Sequence, residues 1–416
     1  MSLTPEQAKI IKATVPILAE HGMTITSRFY ANMLRENKEL NNVFNTSNQH
    51  NGHQPKSLAM ALYAYASNID DLGVLSPAVE LICHKHASLY IRPEHYNIVG
   101  TYLLAAMKEI LGDALTQDIH DAWAAAYWQL ANIMIAREAD LYKSADGWAD
   151  WREFKIDRKE KESDEITSFY LVPVDGKPLP KFKPGQYISV QTEVPDLSHL
   201  QARQYSLSEA PRSDYYRISV KREDGLNMGD PAAPAHPGYI SNLLHKHKQP
   251  GDVLRVSHPY GDFFYDESAV APTAPIVFLA AGVGLTCLLS IFNSLAAAET
   301  AHPITWVHVA RTTSARAFAP HVRAAAARNP RVQPVFFLSH PGAGEVQGQD
   351  FDVQGRLELG KLDAEKQLHA KDATAQYFVC GPEQFMVDMQ KGLKELGVDE
   401  SRIHLELFGT GGVPKA

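Results

Sequence analysis

The chain changes texture twice, and those two changes restrict what it can fold into. Across residues 1–145, apolar positions recur at spacings of 3 and 4, and β-branched runs are few. Breaks at Gly22, Asn45–Gly52, Asp70–Pro77, Arg92–Pro93 and Gly112–Thr116 divide this stretch into six to eight helices. The longest runs from Thr116 to about Lys143. From Ser144–Trp151 to about Phe264, short alternating segments take over: Ile166–Val172, Tyr187–Gln191, Tyr216–Lys221 and Val253–Ser257, punctuated by PVDGKPLP and KPGQY. That texture predicts an antiparallel β-barrel or sandwich. From about Pro275, apolar strands at Ile276–Ala281, Ile304–Val309, Val335–Leu338 and Tyr377–Cys380 alternate with helices near 285–298, 316–328 and 382–396. Strand–helix alternation predicts a parallel α/β sheet. The 416 residues suit about three domains. The expected architecture is multidomain: all-α over 1–145, antiparallel β-barrel over 151–265, and α/β over 270–416.

A net charge of −8 disfavours nucleic acid or an anionic membrane surface as the main partner. Three dispersed cysteines form neither a disulfide framework nor a CxxC zinc pattern, as expected in a reducing compartment. The first residues carry neither a signal core nor a transit segment. They read as a helix start, with Thr4 as N-cap, Pro5 in the first turn and Gln7 completing a capping box. The uncharged run Ile276–Phe292 has two glycines in its middle, and reads as strand, turn and buried helix rather than a membrane span.

Two helices of the first region carry polar residues on apolar faces. Val79, Ile82, His86 and Leu89 share one face, while His84 is rotated away in phase with Glu80 and Ser88. His86 is either a hydrogen-bonded core histidine or an axial iron ligand. On the last helix, Tyr127, Leu130, Met134, Glu138 and Leu141 are in phase, so Glu138 needs a donor such as His86 or a tyrosine, unless it leans to the edge of the stripe and meets solvent. Gln54, Leu58, Leu62 and Tyr65 align one polar group with apolar ones, as in a pocket with one hydrogen-bonding contact. His53 is instead in phase with Ser57 and Ala61.

Residues 21–60, with the pattern FxxSNQxNGxQ, and 79–100, with KHASLYIRPEHYNIVG, resemble the globin domain of flavohaemoglobins. The resemblance implies that His86 is the proximal haem ligand, backed by Tyr96 and Glu138. It implies that Tyr30, Gln54 and Leu58 line the distal side and that Phe44 wedges the haem. Lys85 and Glu406 would tune haem and flavin redox properties.

In the barrel region, Arg203-Gln204-Tyr205-Ser206 follows PGQY, which ends at Tyr187, and precedes VKRE and Gly238-Tyr239-Ile240-Ser241. A flavin site needs a cation for pyrophosphate, an aromatic ring against the isoalloxazine and donors near its reactive nitrogen. Arg203, Tyr205 and Ser206 offer these, and a helix opening at Gly238–Ser241 offers amides to phosphate. The set resembles the FAD barrel of the ferredoxin-reductase superfamily. The turn Gly282-Val283-Gly284-Leu285-Thr286-Cys287 follows one strand and Cys380-Gly381-Pro382 another. Together they resemble the nicotinamide-nucleotide site of that superfamily, with Leu285 and Cys287 departing from its pattern. Leu407-Phe408-Gly409-Thr410 resembles its C-terminal segment, with Phe408 covering the flavin. Arg311, after the next strand, suits a 2′-phosphate better than free ribose hydroxyls, so NADPH is expected alongside NADH.

The resemblance spans the chain in family order and implies haem b, FAD and NADH or NADPH as cofactors. It implies a nitric oxide dioxygenase: NAD(P)H reduces FAD, FAD reduces haem iron, and haem-bound O2 reacts with NO to give nitrate. Its partners would be NO, O2 and NAD(P)H, with no nucleic acid and no obligatory membrane. A cytoplasmic monomer of eukaryotic, fungal type is expected. A gas sensor and a general flavin reductase are the alternatives; the order of three redox domains without an output domain disfavours the sensor.

Overall fold

The computed structural model describes residues 3–225, 236–297 and 301–409. Seven α-helices lie in the first third of the described residues: α1 (Pro5–Ala13), α2 (Val15–Glu36), α3 (Thr46–His50), α4 (His53–Ser67), α5 (Ser76–Ala87), α6 (Pro93–Leu111) and α7 (Gln117–Ser144). The capping box at Thr4 forms as read: its side chain accepts from Gln7 N–H, and the Gln7 side chain accepts from Thr4 N–H. The expected first helix is divided at Thr14, beside Pro16, which has no N–H to give. The helices enclose a core that includes Ile11, Ile25, Phe29, Met33, Ala106 and Ala126.

An antiparallel sheet follows, built from β1 (Arg152–Lys161), β2 (Ile166–Pro173), β3 (Tyr187–Glu193), β4 (Leu200–Ser206), β5 (Tyr216–Lys221), α8 (Tyr239–Lys246) and β6 (Val253–Val256). Its strand order is β4-β3-β6-β1-β2-β5. A bridge between Leu207 and Ile218 brings the two ends together and curls the sheet towards a barrel. Phe154, Ile156, Phe169, Ile188, Val190 and Leu254 fill the inside.

The last third holds β7 (Ile276–Ala281), α9 (Leu285–Ala297), β8 (Ile304–Ala310), α10 (Ala319–Arg328), β9 (Val332–Leu338), β10 (Val353–Gln354), β11 (Gln376–Cys380), α11 (Glu383–Glu395) and β12 (Ile403–Glu406). All pairs are parallel, in the order β10-β9-β8-β7-β11-β12. The chain builds outwards from β7 through β8 to β10, then returns to place β11 on the other side of β7. The carboxyl ends of β7 and β11 therefore flank the switch point, where doubly wound sheets bind ligands. β7 is wholly buried, as expected for a strand covered on both faces. No helix among the described residues is long and apolar enough to cross a membrane.

Candidate active site

The first cluster forms where α5, α6 and α7 meet. The Nδ1 atom of His86, on α5, lies 2.8 Å from Oε1 of Glu138 on α7 and 3.1 Å from the Tyr96 hydroxyl on α6. The Tyr96 hydroxyl donates to the same Oε1 at 2.6 Å. Because Tyr96 spends its proton on Glu138, its oxygen is left to accept. Nδ1 therefore carries the hydrogen, and the Nε2 lone pair is free for another group. Glu138 is 2% exposed, so the carboxylate is buried only because two donors meet it. Burial, reinforced by Glu138, holds the Tyr96 phenol far above its ordinary pKa, so it stays a donor. Gly100 makes room for the last piece. A Cβ there would come within 2.5 Å of the Tyr127 ring, whose hydroxyl donates to the Tyr96 carbonyl.

Tyr30 on α2 accepts a hydrogen bond from Gln54 Nε2 on α4 at 3.3 Å, which leaves its own proton to donate. Burial pushes its phenol up to about 12, against the smaller opposing effect of Gln54. The Phe44 ring meets the Tyr30 ring edge-on with centroids 5.5 Å apart. Phe44 and Leu58 pack against the helical core yet are only partly buried. An imidazole with Nδ1 fixed and Nε2 free, with a phenol, an amide and unfinished apolar surfaces in the same fold, is a donor set that fits haem iron.

The second cluster sits on β3 and β4. Their register pairs Tyr187 with Ser206, Ile188 with Tyr205 and Val190 with Arg203. Arg203 donates to the Ala202 carbonyl and to Gln201 but has no carboxylate partner among the described residues. Burial draws its pKa down to about 10. A half-buried guanidinium without a carboxylate partner among the described residues fits an anionic pyrophosphate. Tyr205 is buried enough to remain a phenol, and Ser206 is 8% exposed. Gln204 donates to Ser88 Oγ at 3.0 Å, across to the helical region. Gly238 opens α8. A Cβ there would sit 2.8 Å from Ser241 Oγ, which itself accepts from Glu223 N–H. The expected loop over 226–238 falls largely outside the described residues.

The third cluster is at the switch point. Gly282 has φ +54, a conformation that favours glycine, and a 3-10 turn over Gly282–Gly284 leads into α9. A Cβ on Gly284 would lie 2.3 Å from the Cys380 carbonyl oxygen, so only glycine lets the two turns touch. A Cβ on Gly381 would lie 2.7 Å from the Phe385 ring and 2.8 Å from the Ala281 Cβ, and Pro382 precedes α11. Leu285, Thr286 and Cys287 turn their side chains into the core, so this turn offers a nucleotide its backbone. Val283 is partly buried beside it. Arg311 follows β8 and forms an exposed ion pair with Glu165.

Glu406 ends β12. Burial, with Asp262 adding and Lys85 opposing, pushes its carboxyl up to about 8. Lys85 donates to the Gly409 carbonyl, joining α5 to the last described residues. Phe408 is 44% exposed, Leu407 packs beside the α/β core, and Thr410 lies outside the described residues.

Contacts between the helical region and the barrel went unseen in the sequence. His84 Nδ1 accepts from Gly261 N–H at 3.0 Å, and the Tyr90 hydroxyl accepts from His258 N–H at 3.1 Å. Ser88 Oγ meets Ser189 Oγ at 3.0 Å. Asn42 Oδ1 accepts from Leu200 N–H at 2.8 Å. One sign was available: the phase shared by Glu80, His84 and Ser88 marks a second, polar face of α5.

Two family models match separate parts of the chain. The globin family matches residues 27–134, and the oxidoreductase NAD-binding domain family matches residues 278–391. A flavohemoprotein of Bordetella parapertussis is 47% identical, covering 99% of this chain and 100% of that protein. One from Rhizobium meliloti is 43% identical, covering 98% of each. The crystal structure of a flavohemoglobin from Malassezia yamatoensis with bound FAD and heme superposes with a TM-score of 0.84 at 27% identity, covering 98% of this chain and 100% of that one. The FAD/NAD-binding domain of a nitric oxide dioxygenase from Vibrio cholerae covers 62% of this chain and 99% of its own at a TM-score of 0.54 and 33% identity. The expectation of a eukaryotic, fungal type is thereby corrected: the 43–47% relatives are bacterial, and the fungal protein is more distant.

Proposed function

The chain belongs to the flavohaemoprotein family, a group of NAD(P)H-dependent oxidoreductases, and on that footing we propose that it is a nitric oxide dioxygenase. Two NO and two O2 become two nitrate for each NAD(P)H oxidised. The observation that carries this reading is the hydrogen-bonded set of half-buried His86 with buried Tyr96 and Glu138.

Haem would be held at His86 Nε2, with Phe44 and Leu58 supplying apolar surface to its pocket. FAD would be held by Arg203, Tyr205, Ser206 and the amides opening α8, with Tyr187, Gln204 and Phe408 beside it. The nicotinamide nucleotide would lie across Gly282–Leu285 and Cys380–Pro382. When bound, the flavin converts two-electron hydride chemistry into the one-electron chemistry of haem iron.

The chain's own residues orient, shield and balance charge. Glu138 and Tyr96 fix the His86 ring and make it a more electron-rich ligand. Gln54 directs the Tyr30 hydroxyl, whose free proton is available to a small ligand on the distal side. Phe44 and Leu58 keep that side apolar. Arg203 offsets pyrophosphate charge in a half-buried setting where a cation is worth more than in water. Lys85 and Glu406 place one positive and one titratable group beside the flavin region. The domain limits 1–145, 151–265 and 270–416, a cytoplasmic location and a monomeric state belong to the same proposal.

Nitric oxide loss at an electrode in air-saturated buffer, with NADH and then NADPH, followed by nitrate assay, tests the reading. Rapid loss with matching nitrate supports it. No loss with haem and FAD both demonstrably bound overturns it.

A further inference from the structure

Gln201 is 0% exposed, yet it belongs to neither cofactor set. It lies on β4, two residues before Arg203. Its side-chain Oε1 accepts from Thr46 N–H at 3.0 Å and from Arg203 Nη1 at 3.2 Å. Its Nε2 donates to the carbonyls of Asn41 at 3.1 Å, Phe44 at 3.2 Å and Leu200 at 3.0 Å. All hydrogen-bonding capacity of the amide is used, so it cannot turn or shift without breaking a buried bond. One end touches the cation suited to flavin pyrophosphate. The other holds the backbone of the corner that carries Phe44, the ring packed on Tyr30.

We infer that Gln201 is a positioning residue that couples occupancy of the pyrophosphate site at Arg203 to the placement of Phe44 over the distal haem pocket. The inference rests on the flavohaemoprotein reading of both sites. An anion that engages the Arg203 guanidinium through Nη1 competes directly with Gln201 Oε1. The lone pair released is on the same amide that fixes the Phe44 carbonyl. Loss or weakening of that bond alters the balance between Thr46 on one side and Asn41 and Phe44 on the other. Neighbouring bonds carry the corner as a unit: Asn42 Oδ1 accepts from Leu200 N–H, and Thr46 Oγ1 meets His199 Nε2 at 3.1 Å. The distal pocket of the globin thus senses whether flavin is in place. By linkage, a distal ligand that displaces Phe44 changes FAD affinity by the factor by which FAD changes that ligand's affinity.

The test uses the full-length, haem-loaded protein stripped of flavin and then reloaded with FAD. Carbon monoxide dissociation from the ferrous haem is timed in both states, and FAD affinity is measured by flavin fluorescence with and without carbon monoxide. In the wild type, FAD is expected to change the dissociation rate by about fivefold, and FAD is expected to bind with a different affinity in the presence of carbon monoxide. In Gln201→Met, which keeps volume and removes both polar atoms, the two rates are expected to coincide while haem and FAD both bind. Should that variant fail to fold, Gln201→Glu keeps the acceptor and removes the donor, and is expected to lose the coupling too. Equal rates in the wild type, or a difference that survives in the variant, overturn the inference while leaving the family reading intact. Failure of the wild type to bind haem or FAD overturns both.

Discussion

Glu138 Oε1 lies 2.8 Å from His86 Nδ1, with the carboxylate itself sealed from solvent. This contact fixes which imidazole nitrogen faces the pocket, and it is made by residues 52 positions apart on two helices. Replacing Glu138 by Gln keeps the size and removes the anion. The expected outcome is unchanged haem content with turnover lowered at least about tenfold, the usual effect of losing a group behind a metal ligand. Nitric oxide consumption per haem measures it, and unchanged turnover in fully loaded protein would deny Glu138 a part in the chemistry at His86.

Tyr30 has a free proton because Gln54 supplies the hydrogen bond that its oxygen accepts. In Tyr30→Phe, a bound distal ligand loses a donor worth about 1 kcal/mol, or about fivefold in lifetime. Oxygen dissociation in a stopped-flow instrument should be faster by that factor.

Burial pushes Glu406 up to about 8, with Asp262 adding to the shift and Lys85 opposing it. A carboxyl whose folded pKa lies above its unfolded value binds its proton more tightly in the folded state. Its stabilising contribution is complete below the unfolded value of 4.5 and is lost as pH rises through about 8. Glu406→Gln removes that loss, so Tm should fall less steeply than in the wild type between about pH 5 and about pH 8. Parallel Tm curves would assign the pH response to other groups.

Arg311 is 67% exposed and paired with Glu165, and such a surface pair is worth at most about 1 kcal/mol. A 2′-phosphate can therefore compete for the guanidinium. Arg311→Glu should lower the ratio of kcat/KM for NADPH to that for NADH by about fivefold or more. An unchanged ratio would place the 2′-phosphate elsewhere.

The three textures of the sequence correspond to the helical, antiparallel and parallel parts of the fold because each imposes its own period on apolar residues. His86 and Glu138 stood out because each put a polar group on an apolar helical stripe. Gly282 and Gly284 stood out because a strand ran into them. Strand β1 was not legible: eight of its ten residues are charged, and only Phe154 and Ile156 turn inwards. Tyr90, Asn42 and Gln201 were missed for another reason. Each meets a partner more than a hundred positions away, and a single polar contact at that separation leaves no periodic trace.

Backbone amides supply much of the seam between the globin and the barrel. Leu200, His258 and Gly261 on one side, and Thr46 on the other, each donate an N–H to a side chain across it. Each of these hydrogens can exchange with deuterium only once its acceptor has moved away. The protein therefore carries four built-in clocks for the parting of the globin from the barrel. Amides inside β3 and β7 serve as the reference that keeps time with unfolding instead.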